Sequence, residues 1–239
     1  MPERCDDRRV SGIDIDVVRV FTDDRGRSGN PLGLVTAEAA RGREQELAAA
    51  LGFSETVVVG EVAAGVATIR IFTPTREMPF AGHPTVGTAW WLASTGRPVR
   101  TLRVPAGDVD ARAGDGDAPT WITADPAWAP TFEWHDVASG AEVDALDPAA
   151  YEAGHHYVWA WTDEATGRIR SRMFAPDMGI VEDQATGAAA IALTGRLERD
   201  LDIVQGRGCR LATRWREGVV DLGGRVVADP PRRIELPAR

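Results

Sequence analysis

The sequence predicts an α+β protein made of two similar lobes, each with strands around a helix. Short runs with strand-like alternation recur along the chain and few stretches carry helical periodicity. A residue pattern recurs at an offset of about 100 positions: Ile69-Arg70, Phe72-x-Pro74, Gly87-x-Ala89 and Gly96-Arg97 return as Ile169-Arg170, Phe174-x-Pro176, Gly187-x-Ala189 and Gly195-Arg196. The length of 239 residues holds two units of roughly 100–120 residues each. A first lobe is expected over residues 10–105 and a second over 106–239, with the last strand returning to the first.

Each element has a local reason. Ile13–Phe21 alternates apolar and polar residues, as a half-buried strand does. Asp23–Asn30 reads as a polar loop and Asn30-Pro31 as a turn. Glu44–Leu51 is a short helix with Gly52 placed to end it. Thr56–Glu61 and Val66–Phe72 form a hairpin across Val62–Gly65. Pro84–Ser94 is a helix, with proline in its first turn and Gly96 just past its end. Strands follow at Leu102–Val104, Val109–Ala113 and Trp121–Thr123, and Asp136–Leu146 reads as helical. Tyr157–Trp161 and Arg168–Phe174 form a second hairpin, and Ala185–Glu198 a second central helix. Val219–Leu222 and Arg225–Ala228 read as a final hairpin turning at Gly223-Gly224.

Composition excludes several functions. With 36 acidic against 27 basic residues the net charge is -9, so no broad basic face exists to neutralise nucleic-acid phosphates. All basic residues are arginine; without lysine there is no Schiff-base chemistry and no Walker-type phosphate loop. The two cysteines, Cys5 and Cys209, form no Cys-x-x-Cys or Cys/His cluster, so no structural zinc is expected. Met1–Arg9 is polar and lacks the apolar core of a secretory signal. Met78–Gly96, the longest stretch free of Asp, Glu and Arg, is broken by Pro79, Gly82, Pro84 and Gly87, which does not suit a membrane span. A soluble cytoplasmic protein is expected.

Three polar residues stand where chemistry is possible. Glu55 lies between a helix end and the apolar run Thr56–Val59, where partial desolvation raises a carboxylate pKa. His83 sits in Ala81-Gly82-His83-Pro84-Thr85, among turn-forming residues rather than on an apolar face. Asp183 precedes the second helix, and the internal pattern aligns it with His83. Each also has a plainer reading: a solvated strand-edge glutamate, a hydrogen-bonded loop histidine and an N-cap. Two helix starts facing one cleft would bind an anion such as a carboxylate, and Gly82, Gly87 and Gly187 would admit it close to the backbone.

Other residues offer less. His155 and His156 point to opposite faces of a strand and cannot easily share a metal, so they read as a surface or interface pair. No serine sits in a G-x-S-x-G elbow. Trp90-Trp91 reads as core or dimer contact.

Taken together, Gly29-Asn30-Pro31, Phe53-Ser54-Glu55-Thr56, Phe72-Thr73-Pro74, Phe80-Ala81-Gly82-His83-Pro84-Thr85-Val86-Gly87, Phe174-Ala175-Pro176, Glu182-Asp183-x-Ala185-Thr186-Gly187 and Val204-Gln205-Gly206 resemble the phenazine-biosynthesis PhzF-like isomerase family over most of the chain. The resemblance implies a diaminopimelate-epimerase-like fold of two pseudo-symmetric lobes, each a curved or barrel-like β-structure around a central helix. It implies acid–base isomerisation of a small carboxylate-bearing molecule without metal or organic cofactor, and a homodimer. Glu55, His83 and Asp183 match the family's catalytic positions; Gly82, Gly187 and Ala188 match substrate-binding ones. Gln184 and Ala188 depart from the Pro and Ser usual there, and Cys209-Arg210-Leu211-Ala212 from a later Gly-Arg-Pro-Ser, so activity on the phenazine precursor itself does not follow. Cysteines are absent from the helix starts, which excludes a two-thiol racemase mechanism. The alternative is a non-catalytic binding protein that kept the fold, and a weaker one is an acid–base lyase or hydrolase.

Overall fold

The computed structural model describes residues 11–237; Cys5 and Met1–Arg9 lie outside them. Strand β1 (Ser11–Thr22) buries Ile13, Ile15, Val17, Val18 and Val20 and pairs antiparallel with β2 (Asn30–Thr36). Helices α1 (Ala37–Ala40) and α2 (Glu44–Leu51) follow, and Gly52 ends α2 at φ 69°. That left-handed conformation is one glycine adopts at little cost. Strand β3 (Glu55–Ala63) runs parallel to β2 and turns back into β4 (Val66–Phe72). The two-residue strand β5 (Glu77–Met78) lies on β4 and leads into helix α3 (Gly82–Ser94). Strands β6 (Thr101–Val104), β7 (Gly107–Arg112) and β8 (Thr120–Ala124) complete this half.

The second half repeats the plan. Strand β9 (Glu133–Asp136), helix α4 (Gly140–Asp144), strands β10 (His156–Asp163), β11 (Arg168–Ala175) and β12 (Ile180–Asp183) precede helix α5 (Gly187–Leu197). Strands β13 (Leu201–Gln205), β14 (Cys209–Arg216) and β15 (Val219–Leu236) end the fold. Pairing carries the symmetry more clearly than the letters do. Leu32 faces Glu55 in the parallel pair β2–β3, as Glu133 faces His156 in β9–β10. Val66 faces Thr101 in β4–β6, as Arg168 faces Asp202 in β11–β13.

Strands β1, β2, β3, β4, β6, β7, β8 and β15 form a closed ring, because β15 pairs with both β8 and β1. The β6–β7 hairpin spans residue 105, so the ring continues across that point. Helix α3 packs on β1, β2, β3, β7, β8 and β15 and is buried on nearly every side, including Val86, Ala89, Trp91 and Leu92. A helix apolar all round belongs inside. Each fully buried Val or Leu adds roughly 1.5–3 kcal/mol. The one polar tip of this set, Trp91 Nε1, donates to Asp16 Oδ2 at 3.0 Å. Helix α5 packs on β14 and β15 in the other half. Among the described residues no helix is long and apolar enough to cross a membrane.

Three local expectations are corrected. Asn30-Pro31 starts strand β2 rather than making a turn; Asn30 pairs with Val20 and Pro31 with Arg19. Asp136–Leu146 is not one helix: Asp136 ends β9, and only Gly140–Asp144 is helical, behind a Ser139 cap whose Oγ accepts from Glu142 N. Gly223-Gly224 is not a turn, because β15 runs through it unbroken. The glycines are there to make room. A Cβ on Gly223 would lie 2.3 Å from the Trp121 ring, and one on Gly224 2.3 Å from the Phe21 ring. Gly223→Ala is therefore expected to lower stability by about 1–3 kcal/mol through overpacking, read by thermal denaturation; an unchanged midpoint contradicts this.

Candidate active site

The starts of β3 and α3 bring Glu55 and His83 together. Glu55 is the first residue of β3, after the Gly52 turn has reversed the chain. His83 is the second residue of α3, with only 3% of its side chain exposed. Glu55 Oε2 lies 3.5 Å from His83 Nδ1. Burial pushes the Glu55 carboxyl up to about 7, opposed by a hydrogen bond with Ser54. Burial pushes the His83 imidazole down to about 4, opposed by Asp183 and by a hydrogen bond with the Pro31 backbone. Near neutrality the pair is thus a half-ionised carboxyl beside a neutral ring. Glu55 Oε2 and His83 Nε2 are both buried and neither has a hydrogen-bond partner. Buried polar atoms without partners are uncommon, and here two sit on adjacent titratable groups.

Asp183 ends β12 and reaches the same place from the other half. Its Oδ1 accepts from Asn30 Nδ2 at 2.7 Å and its Oδ2 from Thr186 Oγ1 at 2.6 Å. Burial raises its pKa, Glu55 raises it further, and His83, Thr186 and Asn30 pull it back. Buried Gln205 clamps this corner. Its Oε1 accepts from Thr186 N at 3.1 Å, and its Nε2 donates to Asp183 O at 3.0 Å and to Thr186 Oγ1 at 2.8 Å. Asn30 joins this corner to the Glu55 segment of its own half, since its Oδ1 accepts from Ser54 Oγ at 3.3 Å. Asp183 is held by side chains on both sides of the fold rather than acting as a helix cap; α5 has no side-chain cap hydrogen bond.

The two helix starts touch. A Cβ on Gly82 would lie 2.8 Å from the Gly187 backbone, and one on Gly187 2.9 Å from Gly82 Cα and His83 N. Neither α3 nor α5 carries a side-chain cap, although both first turns are buried. A buried helix start without a cap leaves N–H donors and a partial positive charge for an anion. Ala188, 9% exposed, lies beside Gly187. A cavity of about 670 Å³, lined by Thr22, Arg168, Asp202, Arg210 and Arg225 among others, contains none of Glu55, His83 and Asp183. Another of about 300 Å³ reaches Pro31 and Phe53, near the Glu55 end of the cluster. Cys209 is buried, and burial pushes its thiol up to about 11, the opposite of an activated nucleophile.

Asn30, Thr186 and Gln205 were not singled out as site residues from the sequence. Asn30 and Gln205 do lie in two of the short motifs, Gly29-Asn30-Pro31 and Val204-Gln205-Gly206. Asn30→Ala removes a hydrogen bond to a buried carboxylate and is expected to cost about 1.5–3 kcal/mol, measured by urea denaturation. A cost within experimental error contradicts the clamp.

The family described as "Phenazine biosynthesis-like protein" matches residues 18–157 and 136–214. The trans-2,3-dihydro-3-hydroxyanthranilate isomerase of Pseudomonas chlororaphis is 32% identical over 205 residues, covering 68% of this chain and 74% of that one. The enzyme of the same name from Pseudomonas fluorescens is 31% identical over 225 residues, covering 74% and 80%. A crystal structure of a putative phenazine biosynthesis PhzC/PhzF protein from Clostridium difficile superposes with a TM-score of 0.70 at 18% identity, over 94% of this chain and 100% of the other. That likeness carries the fold: two pseudo-symmetric lobes of mixed α+β structure about a closed barrel.

Proposed function

This chain belongs to the phenazine biosynthesis-like (PhzC-PhzF) family of isomerase-type enzymes, and on that premise we propose that it isomerises a small carboxylate-bearing metabolite by acid–base proton transfer, without a cofactor. The observation that carries the reading is the pair of unpartnered buried atoms, Glu55 Oε2 and His83 Nε2, beside two uncapped helix starts. The helix starts at Gly82 and Gly187 bind the substrate carboxylate, with Ala188 alongside. Glu55, near half-ionised at neutral pH, removes a proton from a substrate carbon; the double bond shifts, and the same carboxyl returns the proton to another carbon. Nothing is lost, so mass is conserved. His83 stays neutral and offers Nε2 to the substrate, while Asp183, held by Asn30 and Thr186, orients the ring's surroundings or relays protons.

Closure of the lobes over the bound substrate expels water around Glu55, whose side chain is 15% exposed. The named substrate of the related pseudomonad isomerases, trans-2,3-dihydro-3-hydroxyanthranilate, is a member of the class; Ala188, in place of a hydroxyl-bearing serine, points to a different member. Cytoplasmic residence and a homodimer belong to the same proposal, the dimer checked by sedimentation against the chain mass of 25.7 kDa.

The test is incubation with candidate carboxylates, the dihydro-hydroxyanthranilate included, in deuterated water. Deuterium entering at carbon, with mass otherwise conserved, supports the isomerase. Carboxylate binding with no exchange and no product supports the non-catalytic binder instead, and loss of mass supports a lyase or hydrolase.

A further inference from the structure

We propose a divalent transition-metal site of the zinc class on the second half of the fold, with Glu133, His135 and His156 as ligands. The ligands arise from strand pairing. Glu133 and His135 are two apart on β9 and so share a face. In the parallel ladder Glu133 is the register partner of His156 and His135 that of Val158, which puts His156 on that face as well. One ligand atom from each residue falls within 4.8 Å of the other two. His135 Nε2 lies 3.1 Å from His156 Nδ1, and Glu133 Oε2 lies 3.5 Å from the same nitrogen. Two ligands at ~2.0–2.1 Å on a tetrahedral metal stand ~3.3 Å apart, between those two values. The remaining edge shortens by rotation of Glu133, whose side chain is 59% exposed.

The surroundings prepare the site. His156 Nε2 bonds the Ala153 carbonyl, which can only accept, so Nε2 carries the proton and the Nδ1 lone pair faces His135 and Glu133. This is how an outer hydrogen bond selects the metal-binding tautomer of a histidine. Tyr151 packs against both rings, 4.8 Å from His156 and 6.3 Å from His135, and itself stacks on Phe174 at 4.5 Å. The loop before β10 passes so close that a Cβ on Gly154 would lie 2.4 Å from Glu133 Oε1. Two imidazoles and a carboxylate suit zinc, cobalt or nickel rather than calcium or magnesium, and leave a fourth position for water. The metal would fasten β9, the last strand of the sheet order, to β10. His155, one residue away, turns instead toward Phe132 at 6.4 Å and takes no part.

The test is a titration of the tag-free full chain, stripped with chelator, with cobalt(II) and then zinc(II). The expected result is one equivalent of cobalt with tetrahedral visible absorption and no thiolate charge-transfer band, displaced by zinc. His135→Ala and His156→Ala each weaken binding at least 10-fold, and His155→Ala binds as wild type. Should the variants fold poorly, imidazole nitrogen NMR of the wild type decides: zinc shifts His135 and His156 and leaves His83 and His155 in place. No saturable binding, variants that bind like wild type, or zinc shifts at other histidines overturns the site.

Discussion

Glu55→Gln is expected to lower turnover by about 10²–10⁴-fold, the usual contribution of a positioned general acid–base group. The amide keeps the shape of the carboxyl and cannot take a proton. The loss should therefore fall on kcat, with KM changed little, because the carboxylate anchor at the helix starts is untouched. In the wild type, kcat/KM should rise as pH passes through about 7, where burial has placed the Glu55 carboxyl. The inflection should be missing from the residual rate of the variant. Equal turnover in the two proteins contradicts the role of Glu55.

The same burial sets a stability effect of definite sign. The folded pKa of about 7 stands above the ordinary glutamate value of 4.5, so the folded protein holds this proton more tightly than the unfolded chain does. The stabilisation is complete below the unfolded pKa and is lost as pH rises through the folded one. Over that interval the ionised wild type gives up to roughly 3 kcal/mol, less an allowance for the 15% of the side chain that remains exposed. Glu55→Gln, which never ionises, should gain on the wild type between pH 5 and pH 8.5 in urea denaturation. A stability difference that does not move with pH contradicts the burial of the charge.

Gly82→Ala is the second large effect. Its Cβ would stand 2.8 Å from the Gly187 backbone and equally close to Leu222 Cδ2. Leu222 can turn, but two helix backbones give way only by separating α3 from α5. Overpacking of this kind costs about 1–3 kcal/mol or more, and for a chain of this size about 2–4 °C in melting temperature per kcal/mol. Activity should fall further than stability accounts for, because the separation shifts His83 and both anion-binding helix starts. A variant with wild-type melting temperature and turnover contradicts the close contact. Read from the sequence, these glycines serve a ligand's approach; in the fold they first serve the approach of one helix start to the other.

What was legible follows from the range of the interactions involved. Local chemistry set α2 and α3, where Gly52 and Gly96 adopt φ of 69° and 78° at or just past their ends, and the β3–β4 hairpin. The internal pattern of Phe-x-Pro and Gly-x-Ala pointed to two equivalent halves. Failures came where a distant partner overrides a local preference. Asn30-Pro31 has turn chemistry, yet β1 and Asp183 draw Asn30 into a strand. Gly223-Gly224 has hairpin chemistry, yet the rings of Trp121 and Phe21 need its bare backbone. At the site, Glu55, His83 and Asp183 stood out by residue type and by likeness to a family. Asn30 and Gln205 did not, since nothing local marks amides that bond across 153 and 19 positions. The cluster at His135 and His156 was equally hidden, because only the parallel β9–β10 pairing brings it together.

The most direct measurement is the titration of Glu55 itself, by carboxyl-carbon NMR of glutamate-labelled protein with the resonance assigned through Glu55→Gln. The account predicts a midpoint near 7, moving when His83 is replaced by glutamine. A midpoint near 4.5, the value of a solvated glutamate, would contradict the buried acid–base pair at its root.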